Sequence, residues 1–240
     1  MTTDLDLSLT PVQRFDLHID TLFRCDPDGR LRCVNEMGDP PAPRFFMGRT
    51  SEGNRWRFRH DLPDKVIDAL EPLCQSEPTR SEFASLPQNY AAIRAVLEKH
   101  APIQQEYRGP AYWIPNQQRT TEAMLISTTN AQLLETHFAW AISMVTDAKY
   151  GPIAVSLAEG IAVSICFCSR IPGRATEAGV ETVAAARDQG YATAAVARWA
   201  EEVWRLGYLP LYGTSWDNRA SQSIARKLDM LLYGEDWSVE

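Results

Sequence analysis

Two short apolar runs, Leu22 to Cys25 and Leu31 to Val34, flank Asp26-Pro-Asp-Gly29, a strong turn sequence, and predict a hairpin. A second hairpin is predicted from Phe45 to Gly48 and Arg55 to Arg59, on either side of Ser51 to Asn54. In its second strand Trp56 and Phe58 share one face, and Arg55, Arg57 and Arg59 the other. That arginine row reads as a solvated sheet face over packed aromatics, with an anion site as the alternative. Two helices follow. One opens at Asp61-Leu-Pro-Asp64 and runs to Leu70. The other opens at Ser85-Leu-Pro-Gln88, a capping box, and leads into Tyr90 to Leu97. His100 to Gln118 holds Pro102, Gly109, Pro110 and Pro115, and reads as a connector with one extended piece at Ala111 to Ile114. A small N-terminal α+β domain over residues 1–117 and a second domain over 118–240 are the expected division.

The second half has a clearer order. Glu122 to Ser127 is a candidate strand. Asn130 is placed to cap a helix from Ala131 to Val145, with Leu134, Phe138, Ala141 and Val145 on one face. Ile153 to Ala158 and Ile161 to Cys168 are apolar strands separated by Glu159-Gly160 alone, which predicts a tight antiparallel hairpin. A strand at Ala178 to Val183 precedes a helix from Tyr191 to Leu206, with Gly207 as its terminator. A strand at Tyr208 to Gly213, a helix capped by Asp217 or Asn218 and ending near Leu228, and a strand at Met230 to Tyr233 complete the chain. Trp199 and Trp204, in a helical setting, read as packing aromatics.

The bulk numbers narrow the function classes. The 240 residues carry a formal charge of −7, which argues against a nucleic-acid or anionic-membrane binder. No apolar run reaches the ~18–20 residues a bilayer span needs, and the acidic start lacks a basic leader region. The five cysteines (Cys25, Cys33, Cys74, Cys166 and Cys168) form no C-x-x-C pair. Neither a disulfide framework nor a metal site is suggested, and free thiols in a cytoplasmic protein are expected. His18, His60, His100 and His137 sit in no recognisable triad.

The segment Arg187-Asp-Gln-Gly190-Tyr-Ala192 carries the chemistry. It lies between a predicted strand and a predicted helix. A helix N-terminus offers unpaired N–H groups and a partial positive charge, and small residues let phosphate oxygens approach the backbone. The pattern is neither G-x-G-x-x-G nor a Walker loop.

R-x-x-G-x-A after a strand resembles the coenzyme A loop of the GNAT superfamily of N-acetyltransferases. Asn218-Arg-Ala-Ser221 and Ile224-Ala-Arg-Lys-Leu228 are similar to the family's later helix, which ends in Lys-Leu-Gly-Phe; here Asp229-Met230 replaces Gly-Phe. The resemblance covers the last half of the chain. It implies an α/β fold with a mixed, mostly antiparallel sheet flanked by helices, acetyl-CoA as cofactor, and direct transfer to a small-molecule or peptide amine. It further implies cofactor contacts from Arg187, Asp188, Gln189, Gly190, Tyr191, Ala192 and Thr193, from Asn218 and Ser221, and from backbone groups at Thr182 and Val183, one of which could serve the oxyanion. Glu181 and Glu177 are the candidate bases. The family's usual tyrosine acid is replaced by Ala225, and Tyr212 and Ser221 are candidate substitutes. Two other readings stand beside the enzyme: a non-catalytic acyl-CoA sensor, and a nucleotide-binding domain. A homodimer is compatible with the many apolar strands and tryptophans.

Overall fold

The computed structural model describes residues 9–147 and 150–240. The order is α1 (Pro11–Leu22), β1 (Phe23–Cys25), β2 (Leu31–Val34), β3 (Phe45–Arg49), β4 (Asn54–Phe58), α2 (Asp64–Gln75), α3 (Tyr90–His100), β5 (Glu106–Trp113), β6 (Met124–Leu125), α4 (Ile142–Thr146), β7 (Ala154–Ala158), β8 (Ile161–Cys168), β9 (Ala175–Thr182), α5 (Tyr191–Arg205), β10 (Leu209–Gly213), α6 (Arg219–Lys227) and β11 (Leu231–Val239). The chain packs as two units. One is 1–112 with 213–219 and 232–240; the other is 113–212 with 220–231. Two C-terminal segments fold with the N-terminal residues, so neither unit is one continuous run of the chain. Among the described residues no helix is long and apolar enough to cross a membrane.

In the first unit β3 pairs antiparallel with β4 and with β11, and β5 lies beside β11. The two predicted hairpins form. One sheet face buries Phe45, Met47, Trp237 and Val239 against Val66, Leu70 and Cys74 of α2 and Ile93 and Leu97 of α3. On the other face the Phe15 ring of α1 lies so close over Gly48 that a Cβ there would stand 2.1 Å from it. The arginine row does not form an anion site. Arg55 pairs with Asp16 and Arg59 with Asp61.

Several expectations shift here. Helix α1 was not read from the sequence, although Thr10 and Gln13 form a capping box at its start; buried Arg14, His18 and Thr21 disguise its inner face. The Ser85–Gln88 box does not form. The α3 entrance is closed instead by Glu77, whose carboxylate oxygens accept the N–H groups of Gln88 and Asn89, each at 2.8 Å. The expected connector contains β5, with Gly109 inside it because a Cβ there would stand 1.8 Å from the Thr214 carbonyl. Strand β11 runs six residues past Tyr233, to Val239. Buried Glu235 and Asp236 interrupt its apolar pattern, and Glu235 lies opposite Arg49 in the ladder.

In the second unit the strand order is β10-β9-β8-β7-β6. The β6–β7, β7–β8 and β8–β9 pairings are antiparallel and β9–β10 is parallel. This is the expected mixed, mostly antiparallel architecture with helices on its faces. Glu159 and Gly160 both take positive φ, as a tight hairpin turn requires. One face buries Ile153, Val155 and Ile165 under Leu134, Phe138, Ala141 and Met144. The helix expected over 131–145 is broken into two 3-10 turns and the short α4. Asn130 does not cap it, because its side chain is engaged by the Ser127 N–H and the Leu125 carbonyl. The apolar spacing survives this change of hydrogen bonding. Helix α5 covers the other face with Trp199 fully buried, and Gly207 ends it at φ +83°. The N–H groups of Tyr208 and Gly207 return to the carbonyls of Val203 and Trp204, a Schellman stop.

Candidate functional site

The site is built where β9 parts from β10. Parallel pairing runs only from Ala175–Leu209 to Glu177–Leu211. Along its other edge β9 stays paired with β8 to Thr182. The Ser169 N–H donates to Glu177 and the Val183 N–H to Val163. Backbone polarity alternates along a strand. The N–H and C=O groups of Glu177, Gly179, Glu181 and Val183 therefore point to β8, and those of Ala178, Val180 and Thr182 point the other way; the Ala178 N–H closes the last rung to Leu211, and Val180 and Thr182 face the side β10 has left. The result is an open edge inside a sheet.

The loop at the end of β9 delivers the chain to α5. Asp188 and Gly190 both take left-handed backbone, at φ +60° and +89°. The Gln189 amide folds back onto the Ala185 carbonyl at 3.0 Å. No side chain caps α5, so the first-turn N–H groups of Tyr191, Ala192 and Thr193 lack intrahelical partners. No neighbouring atom lies within 4 Å of a Cβ built on Gly190. Ser156 holds the first turn in place by donating to the Tyr191 carbonyl at 2.8 Å, and Thr121 donates to that of Ala194 at 3.2 Å.

Beside this helix end lies a cleft of about 740 Å³, lined by Gln189, Gly190, Tyr191, Thr193, Ser156, Thr121, Arg119 and Lys227 among others. It brings an uncapped positive helix end together with two cationic side chains. Sequence reading missed Arg119, Thr121 and Ser156. Nothing in their local sequence marks them, because the fold alone carries them to the α5 entrance.

The expected residues divide as follows. Gln189, Gly190, Tyr191 and Thr193 line the cleft, while Arg187 and Asp188 are exposed in the loop before it and Ala192 is half-buried in the first turn. The Thr182 N–H faces the open edge, and its hydroxyl lies 2.8 Å from that of Ser164. Val183 is a correction: its N–H is bound to the Val163 carbonyl at 3.0 Å and is not free for a ligand or an oxyanion. Glu181 is exposed and lies opposite Ile165, and Glu177 is half-buried with Ser169 hydrogen-bonded to it, so both carboxylates share one face of β9. Tyr212, 2% exposed, lies with its phenol oxygen 2.5 Å from Ser221 Oγ. Asn218 is exposed in the turn before α6, and its N–H donates to the Ser215 carbonyl. Ala225 is buried in α6.

The end of α6 is resolved too. Asp229, where the family pattern has glycine, takes φ +46°. The N–H groups of Met230 and Asp229 return to Ala225 and Arg226, so the Schellman stop forms without glycine. Cys166 and Cys168 are buried among core groups. Burial pushes both thiols up, that of Cys168 to about 11.

No protein-family profile matches the chain, and no curated protein sequence matches it. Solved structures do. The chain is similar to a protein from Novosphingobium aromaticivorans assigned to the GNAT acetyltransferases, at 13% identity and a TM-score of 0.45, over 57% of this chain and 65% of that one. It is similar to a GCN5-related N-acetyltransferase-like protein from Streptococcus suis, at 14% identity and a TM-score of 0.48, over 83% and 85%. It is also similar to a GCN5-related N-acetyltransferase from Kribbella flavida, at 19% identity and a TM-score of 0.44, over 62% and 63%. The chain thus spans somewhat under two thirds of the length of the first and third, 65% and 63%. These are likenesses of backbone course alone.

Proposed function

We propose that the second unit binds acetyl-CoA and transfers its acetyl group to an amine. The observation that carries this reading is the open β9 edge leading to the uncapped N-terminus of α5. A pyrophosphate suits the first-turn N–H groups and the adjacent cations. An amide-bearing arm suits the unpaired backbone of Thr182 and Val180, which offers donors and acceptors in strand spacing. A thioester at the end of that arm would meet Glu177 and Glu181 on one face of the strand. Either carboxylate can take the proton of an attacking amine. A free N–H on the open edge, that of Val180, can receive the developing oxyanion.

A second reading has its own observation. Ala225 offers no hydroxyl where the resembling family places its acid, which suits a sensor that binds acyl-CoA without turnover.

Thermal unfolding with and without acetyl-CoA tests the shared part of both readings. Ligand at 100 times its dissociation constant adds about 2.7 kcal/mol to the folded state. Gly190→Glu is expected to abolish the shift, because it places a carboxylate at the phosphate site. Gly190→Asn, which tolerates the left-handed backbone without charge, is expected to keep most of it. No shift in the wild type at millimolar ligand would end the proposal. Release of CoA in the presence of a primary amine separates enzyme from sensor.

A further inference from the structure

We propose that Ser221 is the proton donor to the departing coenzyme A thiolate and that Tyr212 positions and recharges it, replacing the hydroxyl that Ala225 lacks. The inference rests on the acyl-CoA reading above.

Three placements carry it. The first is where the open edge ends. Strands β9 and β10 rejoin at Glu177 and Leu211. An arm that begins at the α5 entrance and runs along Thr182, Val180 and Ala178 has its far end there, after roughly 13 Å of strand. Tyr212 is the next residue of β10 beyond that junction, level with Ala178 in the parallel register. The second is the hydroxyl pair itself. The Tyr212 phenol is 2.5 Å from Ser221 Oγ and 3.4 Å from the Ser221 carbonyl, so the tyrosine is held to the first turns of α6. Tyr212 is 2% exposed, whereas Ser221 is half-buried and is the member of the pair with an accessible side. The third is helical spacing. Ser221 lies one turn before Ala225, on the same side of α6.

The transfer balances with groups already named. The acceptor nitrogen attacks the thioester carbon and a C–N bond forms. The C–S bond then breaks and its electron pair stays on sulfur. Sulfur takes the proton of Ser221 Oγ, and Ser221 takes that of the Tyr212 phenol. The proton lost by the nitrogen goes to a β9 carboxylate and then to solvent. An equivalent proton returns to the hydroxyl pair through the accessible side of Ser221.

Ser221 is therefore catalytic and Tyr212 is a positioning residue. A donor aimed at sulfur favours the thiolate over the thiol, which gives a readout independent of turnover and of the acceptor. The probe is CoA itself. Ionisation of its bound thiol is followed by ultraviolet difference absorbance against the complex with desulfo-CoA. The wild-type complex is expected to hold about tenfold more thiolate at a given pH than the Ser221→Ala or Tyr212→Phe complexes, each measured at CoA concentrations that saturate that variant. Ser221→Thr should restore the wild-type value. Equal ionisation in the wild type and Ser221→Ala, with CoA bound to both, overturns the relay and leaves the acyl-CoA reading standing. No thermal shift with CoA in the wild type overturns both. Should Tyr212→Phe fail to fold, the Ser221 variants decide alone.

Discussion

Arg119 Nη2 lies 3.0 Å from Asp229 Oδ2 and 2.9 Å from the carbonyl of Leu228. One side chain thus secures a helix end whose stop residue is not glycine. Left-handed backbone costs an ordinary L-residue about 1 kcal/mol relative to glycine, and exposed ion pairs return at most about that much. Asp229 is mostly exposed, so strain relief is the larger effect. Asp229→Gly is expected to stabilise the protein by up to about 1 kcal/mol. Arg119→Ala, which strips a partner from the last carbonyls of α6, is expected to cost about 1–2 kcal/mol. Urea unfolding of the two variants checks this. A loss of stability in Asp229→Gly would mean that the ion pair outweighs the strain.

Glu77 supports a second prediction. Its side chain is fully buried, it accepts two N–H groups at the start of α3, and Arg49 Nη1 stands 3.6 Å from it. Arg49 is itself bound to Glu235. Removing the Glu77 carboxylate strands the Gln88 and Asn89 N–H groups and leaves Arg49 to Glu235 alone, and breaking a buried pair from one side costs about 3–5 kcal/mol. Glu77→Ala is expected to lose that much in chemical denaturation. A loss under about 1 kcal/mol would show that Glu235 alone compensates Arg49 and that α3 needs no cap.

The buried thiols supply a pH dependence. Burial raises the Cys168 thiol to about 11 in the folded protein, against about 8.5 in an unfolded chain. The sign follows: stability from this group is complete below the unfolded value and is lost as pH rises towards about 11. Cys166, also raised by burial, acts in the same direction. The midpoint of urea unfolding should therefore fall between pH 8.5 and 10.5, and less steeply in Cys168→Ala. An identical slope in the variant would remove Cys168 from the account. At pH 8, a thiol reagent should modify half-buried Cys33 well before Cys74, Cys166 or Cys168.

Legibility in the sequence followed local physics. The β1–β2, β3–β4 and β7–β8 hairpins were readable because turn residues sit between apolar runs, and α5 because its apolar period and Gly207 agree. What escaped was set by distant partners. The capping box at Ser85 lost to a carboxylate from Glu77, and β11 runs past its apolar pattern, in which buried Glu235 looks like a surface residue until Arg49 is placed opposite it. At the site, Gly190 and its neighbours were legible as a motif. Arg119 and Ser156 were not, since only the fold brings them to the α5 entrance. The choice between Thr182 and Val183 was also hidden, because strand polarity depends on register with β8.

That choice gives the last prediction. The Val183 amide already donates to Val163, so its hydrogen exchange should be slow in the free protein. The amides of Val180 and Thr182 point to the edge that β10 has left, and should exchange faster. If the arm of acetyl-CoA pairs with that edge, saturating ligand should slow exchange at Val180 and Thr182 at least tenfold and change Val183 little. Amide-resolved exchange by NMR, with ATP as a control ligand lacking the arm, reads the three positions separately. Protection confined to the α5 first turn, with Val180 and Thr182 unchanged, would mean that the helix end holds a phosphate while the open edge holds nothing.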